Sequence, residues 1–471
     1  MLDGPCSMLD ALGMQQSAPS FDWPLAYPAE EALRAWAEAF LIRNHWAQSF
    51  ANRLRTETGT DFFEWIDHLT VGPEQTAQLE ELGFVREKLD APAGSVVYQY
   101  PRVLLPRVVV RADGIQNGAP RHLAIRPELL ADFVRAHDLG LIIQGKIGSR
   151  YREALVSEED GHKLWAVERL AWRHFVPEPV RPEQAAGIEE VREIWRARKR
   201  DFASDQAGAN HAVYCQEQSI ARVGADIATE LFFAEERRYW ESRNAAARLQ
   251  KRRQDVLGLG WGNHDHHTFR SSRQLFARLI RFLTHFGFQK RERYYAGAEA
   301  GWGAQILEHP VTGITVFADV DLLPEETEID FSVQPLPAAD RLRTVGLWCA
   351  LHGDSWLQAG MHHLEARFDF ELLRDQLAGE GVGMMKPFSN FEFLKQAFTA
   401  GERWPVRPER LGDLQAKGLI TAEQAGIFAR EGAVGSHLEN LQRKGGFKGF
   451  NQKSVSVIIA ATDPRSLAAT H

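Results

Sequence analysis

The sequence contains few cysteines, and none of them lie close together. Its 471 residues include Cys6, Cys215 and Cys349, without a Cys-x-x-Cys pair. This spacing excludes a disulfide framework and a thiolate zinc site, and it favours a reducing, cytoplasmic compartment. A metal centre in this chain is therefore expected to use nitrogen and oxygen ligands.

Long apolar runs and an excess of positive charge are also missing. The longest apolar runs fall far short of the roughly 18 residues that a membrane helix needs, so no spanning segment is expected. Residues 1–20 lack a basic start followed by an apolar stretch, and we expect no secretory signal. A net charge of −8 argues against a general nucleic-acid binder. With 44% hydrophobic and 25% charged residues, the composition is typical of a globular protein of two or three domains.

What the sequence does contain is an internal repeat. Residues 66–114 and 264–321 both open with Asp-His-x-Thr, continue into an amphipathic helix that ends in Gly-Phe, and then show two β-rich runs. Further along, a strand with His-Leu followed by a helix recurs at 121–140 and 362–381. A Glu between apolar neighbours recurs at 165–175 and 389–398. Four shared elements in one order indicate a duplication, with two β-α-β-type units in each half.

The repeat divides the chain into four parts. We predict a helical lead-in over 1–60, a first repeat domain over 61–178, a helical connector over 179–257 and a second repeat domain over 258–471. The connector is rich in Glu, Arg and Ala, and it serves as scaffold or as the surface of a homodimer. Within the last domain, residues 402–447 are predicted to be helix and loop, and residues 453–462 to form one last strand.

The alignment brings the same three residue types together in each half. The candidate ligands are His68, His122 and Glu168 in the first half, and His266, His363 and Glu392 in the second. Two imidazoles and one carboxylate, with coordination positions left open, form the facial triad of non-haem Fe(II) oxygenases. The aligned Asp-His and His-Leu pairs favour His266 over His267, and His363 over His362.

Alternation along a strand adds candidates for substrate binding. His266, Thr268 and Arg270 are predicted to face inward, and His267 outward. The guanidinium of Arg270 is suited to gripping a substrate carboxylate through two hydrogen bonds. Gly72 takes this position in the first repeat. Arg367, four residues after His363, is a second candidate for the same role.

The second half resembles a known superfamily through these motifs. A β-α-β repeat with His, His and Glu is similar to the vicinal-oxygen-chelate superfamily of glyoxalases and extradiol dioxygenases. Within it, the segment Asp265–Arg270, the run His362–Glu365, the triplet Phe391-Glu392-Phe393 and the stretch from Gly446-Phe447 to Ser456 resemble the 2-oxoadipate dioxygenase/decarboxylase family, also called hydroxyglutarate synthases. The resemblance implies an α+β fold of tandem βαβββ modules with curved mixed sheets. It also implies substrate contacts from Thr268, Arg270 and Ser454.

The implied activity is that of an Fe(II) dioxygenase that decarboxylates and hydroxylates a 2-oxo acid, with dioxygen as co-substrate. Another divalent first-row metal is an alternative cofactor. Two other functions stay open. One is a ring-cleaving dioxygenase or a metal-dependent lyase that uses the same triad. The other is a non-catalytic protein that binds a ligand in the same cavity. No nucleic-acid or membrane partner is expected, and the first-half triad is either a second site or a decayed copy.

Overall fold

A computed structural model describes residues 22–116, 118–140, 142–178, 180–451 and 462–465. Within those ranges the chain forms the helices α1 Tyr27–Arg43, α2 His45–Arg53, α3 Thr76–Glu81, α4 Leu130–Ala136, α5 Pro182–Arg196, α6 Asp205–Val223, α7 Ala225–Ser242, α8 Ala245–Val256, α9 Phe276–His285, α10 Thr344–His352, α11 Phe370–Gly379, α12 Pro408–Ala416 and α13 Ala422–Glu431. None of the helices in these ranges combines the length and the apolar character needed to cross a bilayer.

The strands over the same ranges are β1 Ile66–Val71, β2 Val85–Glu87, β3 Val96–Gln99, β4 Arg107–Val110, β5 Ile115–Gln116, β6 Ala119–Pro120, β7 His122–Ile125, β8 Tyr151–Glu159, β9 His162–Arg169, β10 His264–Arg270, β11 Gln289–Tyr295, β12 Trp302–Glu308, β13 Thr315–Asp321, β14 His363–Arg367, β15 Ser389–Phe391, β16 Leu394–Phe398, β17 Glu402–Trp404 and β18 Ala433–Arg443. Strands β5 and β6 form a small separate ribbon. The others build two large sheets.

The first repeat forms one sheet in the order β2-β3-β4-β1-β7-β9-β8. Strand β1 lies at its centre, parallel to β4 and antiparallel to β7. Elements β1, α3, β2, β3 and β4 make a full βαβββ module. The second module, β7-α4-β8-β9, has one strand fewer in the described part of the chain.

The second repeat follows the same plan with longer strands. Its order is β11-β12-β13-β10-β14-β18-β16-β15, with β17 paired to β18. Strand β10 is parallel to β13 and antiparallel to β14, and β14 is parallel to β18. Two βαβββ modules thus join through β10 and β14. The predicted α+β fold of tandem βαβββ-type modules is confirmed.

Strand β18 shows that part of one prediction is wrong. Helices α12 and α13 do occupy much of the segment predicted to be helix and loop over 402–447, but residues 433–443 form an 11-residue strand. Helix α13 ends at Glu431, and the next residue, Gly432, with a φ of +70°, turns the chain directly into that strand. Strand β18 pairs with β14, β16 and β17, so it is an interior strand. The strand predicted over 453–462 lies almost entirely outside the described residues.

One face of the second sheet is covered by helices. The rings of Phe282 in α9 and of Phe286, which directly follows that helix, pack against Phe232 in α7, with centroids 5.4 and 5.3 Å apart. The same core contains Leu364 and Leu438 from the sheet, both fully buried. Because side chains alternate along a strand, the neighbours of these leucines point to the opposite face. That face carries the polar residues described next.

Candidate metal centre

Four side chains of the second sheet converge at one buried point. His266 comes from β10, His363 and Glu365 from β14, and Glu439 from β18. Oε1 of Glu365 lies 2.7 Å from Nε2 of His266 and 2.8 Å from Nε2 of His363. Oε2 of Glu439 lies 3.7 Å from Nε2 of His363. These residues are between 2% and 7% exposed. The ligand atoms of His266, Glu365 and Glu439 all lie within 4.8 Å of one another, close enough to bind a single ion, and His363 lies beside them.

Strand register explains why these residues meet. Glu365 is the cross-strand partner of His266 on one side and of Glu439 on the other. Strands β14 and β18 both contain His-Leu-Glu, at 363–365 and 437–439, and the two triplets pair in register. The leucines enter the helical core, so each triplet presents its histidine and its glutamate to the cavity face.

Among the described residues, no lysine or arginine forms an ion pair with the two glutamates. In the part of the chain that the structure describes, the ion pairs of Glu365 and Glu439 are made with histidines. Burial and mutual proximity hold the pKa of Glu365 well above its usual range, and burial raises the pKa of Glu439 to about 7. Oε2 of Glu365 is buried without a hydrogen-bond partner among the described residues. Two buried carboxyl groups in this state are stabilised by a bound cation.

The histidines are in the form that binds metals. Burial lowers the pKa of His266 to about 4 and holds the pKa of His363 well below its usual range, so both rings are neutral near pH 7. Nδ1 of His266 is hydrogen-bonded to Asp265 at 2.8 Å, which leaves Nε2 facing Glu365. Neutral imidazole nitrogens and carboxylate oxygens together suit a divalent first-row ion. The donor set therefore fits such a metal.

A cavity of about 80 Å³ opens beside these ligands. Its aromatic side chains are Tyr294, Trp302, Phe317, Phe388, Phe398 and Phe450. Thr268 also lines it, and its hydroxyl donates to Oε1 of Glu365 at 3.3 Å. The cavity has room for a small molecule next to the metal position.

Arg270 carries the positive charge of this cavity. It is 3% exposed, and its Nη2 donates to the Thr462 hydroxyl at 3.0 Å. Its Nε has no hydrogen-bond partner among the described residues. Asp319 lies opposite on β13, where burial raises its pKa to about 7 even though the nearby Arg270 lowers it. The cavity thus offers a guanidinium donor and a carboxyl group that titrates near neutral pH.

Two predicted site residues lie elsewhere. Glu392 is exposed at the turn between β15 and β16, so the prediction that it ligates the metal is wrong, and Glu439 lies at the cluster instead. Arg367 does not line this cavity. Its guanidinium lies 3.4 Å from Glu64 of the first repeat, so its role as a second clamp stays a prediction. Ser454, predicted to contact substrate, falls outside the described residues.

The first-half triad does not converge. His68 and His122 do line one cavity of about 110 Å³. Glu168 points to the other face, where it accepts a hydrogen bond from the Leu130 amide at 2.8 Å and pairs with Arg152 at 3.3 Å. The predicted triad of His68, His122 and Glu168 therefore does not have its carboxylate beside its two imidazoles.

Strand register shows which residues of the first sheet take the positions of Glu365 and Glu439. Ala124 and Trp165 pair across β7 and β9 as Glu365 and Glu439 pair across β14 and β18. Both glutamates are thus replaced by residues that cannot ligate a metal.

The ligands predicted from the sequence include neither Glu365 nor Glu439. The signal was present, because His-Leu-Glu occurs twice in the second half, at 363–365 and 437–439. Recognising it required knowing that 433–443 is a strand.

Comparisons with known proteins reveal only distant similarity. No protein-family model matches the chain, and no curated protein matches it. Among solved structures, a putative hydrolase from Shewanella frigidimarina NCIMB 400 is 15% identical with a TM-score of 0.32, covering 46% of this chain and 95% of its own. A mutant 4-hydroxymandelate synthase from Streptomyces coelicolor is 15% identical with a TM-score of 0.28, over 85% and 98%. Methylmalonyl-CoA epimerase from Mycobacterium tuberculosis is 12% identical with a TM-score of 0.23, over 39% and 88%. At these values the likeness carries no argument about chemistry, which depends on this chain's own residues.

Proposed function

We propose that this protein is an Fe(II)-dependent oxygenase that acts on a small carboxylate substrate, with a 2-oxo acid as the expected class. The observation that carries the proposal is the buried convergence of two neutral imidazoles and two uncompensated carboxyl groups beside a cavity that contains an arginine. His266, His363 and Glu439 would hold the metal on one face, with Glu365 as an adjacent oxygen donor. Bound there, Fe(II) supplies Lewis acidity and electrons for reaction with dioxygen.

Arg270 binds and orients the substrate in this proposal. Its side chain starts on the cavity face of β10, four residues or about 13 Å beyond His266. The free Nε and the neighbouring Nη2 form the two-pronged donor that a carboxylate accepts. A substrate held by Arg270 would extend toward the ligands past Thr268.

Asp319 holds a proton near the same end of the cavity. Since its pKa is raised to about 7, the carboxyl group exchanges a proton readily under neutral conditions. It lies beside the Arg270 guanidinium, where it can donate to or accept from a substrate oxygen. The aromatic walls around it exclude water, which strengthens each of these polar contacts.

A second function, that of a metal-dependent lyase, is favoured by one specific observation. Glu365 touches both imidazoles, and as a fourth protein ligand it would leave fewer open positions for dioxygen. A carboxylate at that point also serves as a general base. The two functions therefore differ in whether turnover consumes dioxygen.

Oxygen uptake tests the proposal directly. The purified chain is loaded with Fe(II) without air and then mixed with a panel of 2-oxo acids and catechols in aerated buffer. Uptake coupled to carbon dioxide release from a 2-oxo acid is the expected result. Turnover of catechols alone would indicate ring cleavage, and turnover without oxygen would indicate a lyase. A chain that binds metal and ligand without turnover is a binding protein, and a chain that binds no metal contradicts every metal-dependent function.

A further inference from the structure

Both halves contain the same series of hydrogen bonds, from an arginine to an aspartate to a histidine, and the arginine and the aspartate are not among the proposed metal ligands. In the second half, Arg443 makes a two-pronged ion pair with Asp265, with N–O distances of 3.0 and 2.8 Å. Asp265 in turn bonds Nδ1 of His266 at 2.8 Å. Each member of this trio is at least nine-tenths buried at its side chain.

A backbone irregularity makes the trio possible. Successive side chains of a regular strand point to opposite faces, so Asp265 and His266 would not normally meet. The pairing of β10 with β14 shifts register between His264 and His266, which places Asp265 at a β-bulge. A bulge re-aims the side chain that it carries. Here it brings the aspartate carboxylate alongside the ring of its own neighbour.

The first half repeats this arrangement in detail. Arg169 makes a two-pronged pair with Asp67 at 2.7 and 2.8 Å, and Asp67 bonds Nδ1 of His68 at 2.7 Å. The bulge recurs as well, between Ile66 and His68. The trio thus persists where both ligand glutamates are replaced.

Each arginine also holds the segment that follows its strand. Nη1 of Arg443 donates to the carbonyls of Phe447 and Gly449 at 3.1 and 2.7 Å. The next residue, Phe450, packs on Phe317 with centroids 5.1 Å apart, and Phe317 packs on His266 at 4.4 Å. The segment 444–451 therefore forms part of the cavity wall.

Arg169 acts in the same way on its own following segment. Its Nη1 donates to the carbonyls of Trp172 and His174 at 3.3 and 2.6 Å. Phe175 then packs on His68 with centroids 4.9 Å apart.

We propose that Asp265 and Arg443 are positioning residues for the metal ligand His266, and that Arg443 couples this position to the segment 444–451 over the cavity. The inference rests on the proposed metal site. Asp265 selects the tautomer whose Nε2 carries the lone pair, and Arg443 fixes the direction of Asp265. By reciprocity, a metal that needs His266 in this orientation also stabilises segment 444–451 in the position that the structure shows.

The first half supplies a matched control for the experiment. Asp265→Asn and Asp67→Asn remove the same charge from corresponding bulges, but only Asp265 lies next to the proposed metal site. Co(II) is titrated into each full-length variant and into the unchanged protein. The affinity and the visible absorption spectrum of bound Co(II) are recorded, together with thermal unfolding of the metal-free chains. Arg443→Lys provides a milder variant that keeps the charge and loses the two-pronged geometry.

We expect Asp265→Asn to weaken Co(II) binding about 10- to 100-fold and to change the spectrum. Arg443→Lys should have a smaller effect in the same direction, and Asp67→Asn should leave affinity and spectrum unchanged. An unchanged affinity and spectrum in Asp265→Asn would overturn the inference, as would equal weakening by Asp67→Asn. If the unchanged protein binds no Co(II), the proposed function itself fails. This result differs from failure of the positioning role alone, in which the unchanged protein binds Co(II) but Asp265→Asn binds it equally well.

Amide hydrogen exchange tests the coupling to the segment. We expect Co(II) to slow exchange in residues 444–451 of the unchanged protein, and to slow it less in Arg443→Lys. Equal protection in both proteins would contradict the role of Arg443 as the link.

Discussion

Glu365 and Glu439 are cross-strand partners on two parallel strands, and both of their carboxyl groups are buried. Two adjacent buried carboxyl groups cannot both ionise cheaply, since a negative charge on one disfavours a negative charge on the other. Without a cation the pair therefore keeps a proton. With a cation bound it loses that proton, so metal binding, proton release and stability are linked at this pair.

The first prediction concerns the number of metal ions. We expect one divalent ion per chain, lost in His266→Ala and in Glu439→Gln because each removes a converging donor. Elemental analysis after dialysis against Co(II) measures this. Glu392→Gln and His68→Ala are controls that keep the ion, since both residues lie away from the cluster. A second ion that depends on His68 would show that the first half also binds metal.

The second prediction is a pH dependence of metal affinity. The pKa of Glu439 is raised to about 7, so below pH 7 the metal must displace a proton, and affinity falls as pH falls. The histidines contribute little above pH 5, because burial lowers the pKa of His266 to about 4. Titration calorimetry of Co(II) in buffers from pH 5.5 to 8.5, a range chosen to bracket that pKa, should show proton release on the acidic side and tighter binding on the alkaline side. An affinity that stays constant across this range would contradict the shared proton.

The third prediction separates substrate binding from metal binding. Arg270→Ala should raise the KM for a carboxylate substrate about 10- to 100-fold, because a hydrogen bond to a charged group contributes about 1.5–3 kcal/mol. The metal content should stay the same. Arg367→Ala is the matched control, since that guanidinium pairs with Glu64 outside the cavity. Loss of metal in Arg270→Ala would mean that the arginine supports the ligands instead.

The fourth prediction contrasts the two faces of β18. Leu438→Ala leaves a hole in the helical core and should lower the free energy of unfolding by about 2–5 kcal/mol. Glu439→Gln should act in the opposite direction in the metal-free protein at pH 8. The pKa of Glu439 is raised on folding, so ionising it costs free energy in the folded state as pH rises toward 7 and above. Removing that cost should add stability on the order of 1–3 kcal/mol.

Chemical denaturation at pH 5 and pH 8 checks this contrast. The gain from Glu439→Gln should shrink at pH 5, where the carboxyl group of the unchanged protein is already protonated when folded. A loss of stability at pH 8 would mean that the carboxylate is compensated by an interaction that the structure does not contain.

The sequence was sufficient to predict the repeat, the α+β fold and one side of the cluster. Periodicity identifies a strand at 264–270, and alternation within it places His266, Thr268 and Arg270 on one face, where the structure has them. The position of Glu392 could not be judged in this way. A Glu between two phenylalanines satisfies the pattern of a half-buried strand, but the hairpin of β15 and β16 turns there, and the side chain faces outward.

The carboxylate that does reach the site is distant in sequence. Between Glu365 and Glu439 the chain forms three helices and three strands, so no local pattern relates the two residues. Only the pairing of β14 with β18 brings them together, and such pairing is a property of the tertiary fold. The Arg-Asp-His trios were hidden for the same reason, because each arginine is more than 100 residues from its aspartate.

The order of the strands in the second sheet has a consequence for biosynthesis. Strand β18 lies between β14 and β16, both of which precede it in the chain, so the sheet must stay open at that position until residue 443 has been made. A growing chain can complete the first repeat early. It cannot gather the donors of the metal cluster before β18 inserts, and until then the exposed edges of β14 and β16 are open to pairing with other chains. Metal supply during synthesis is therefore expected to influence how much of the product aggregates.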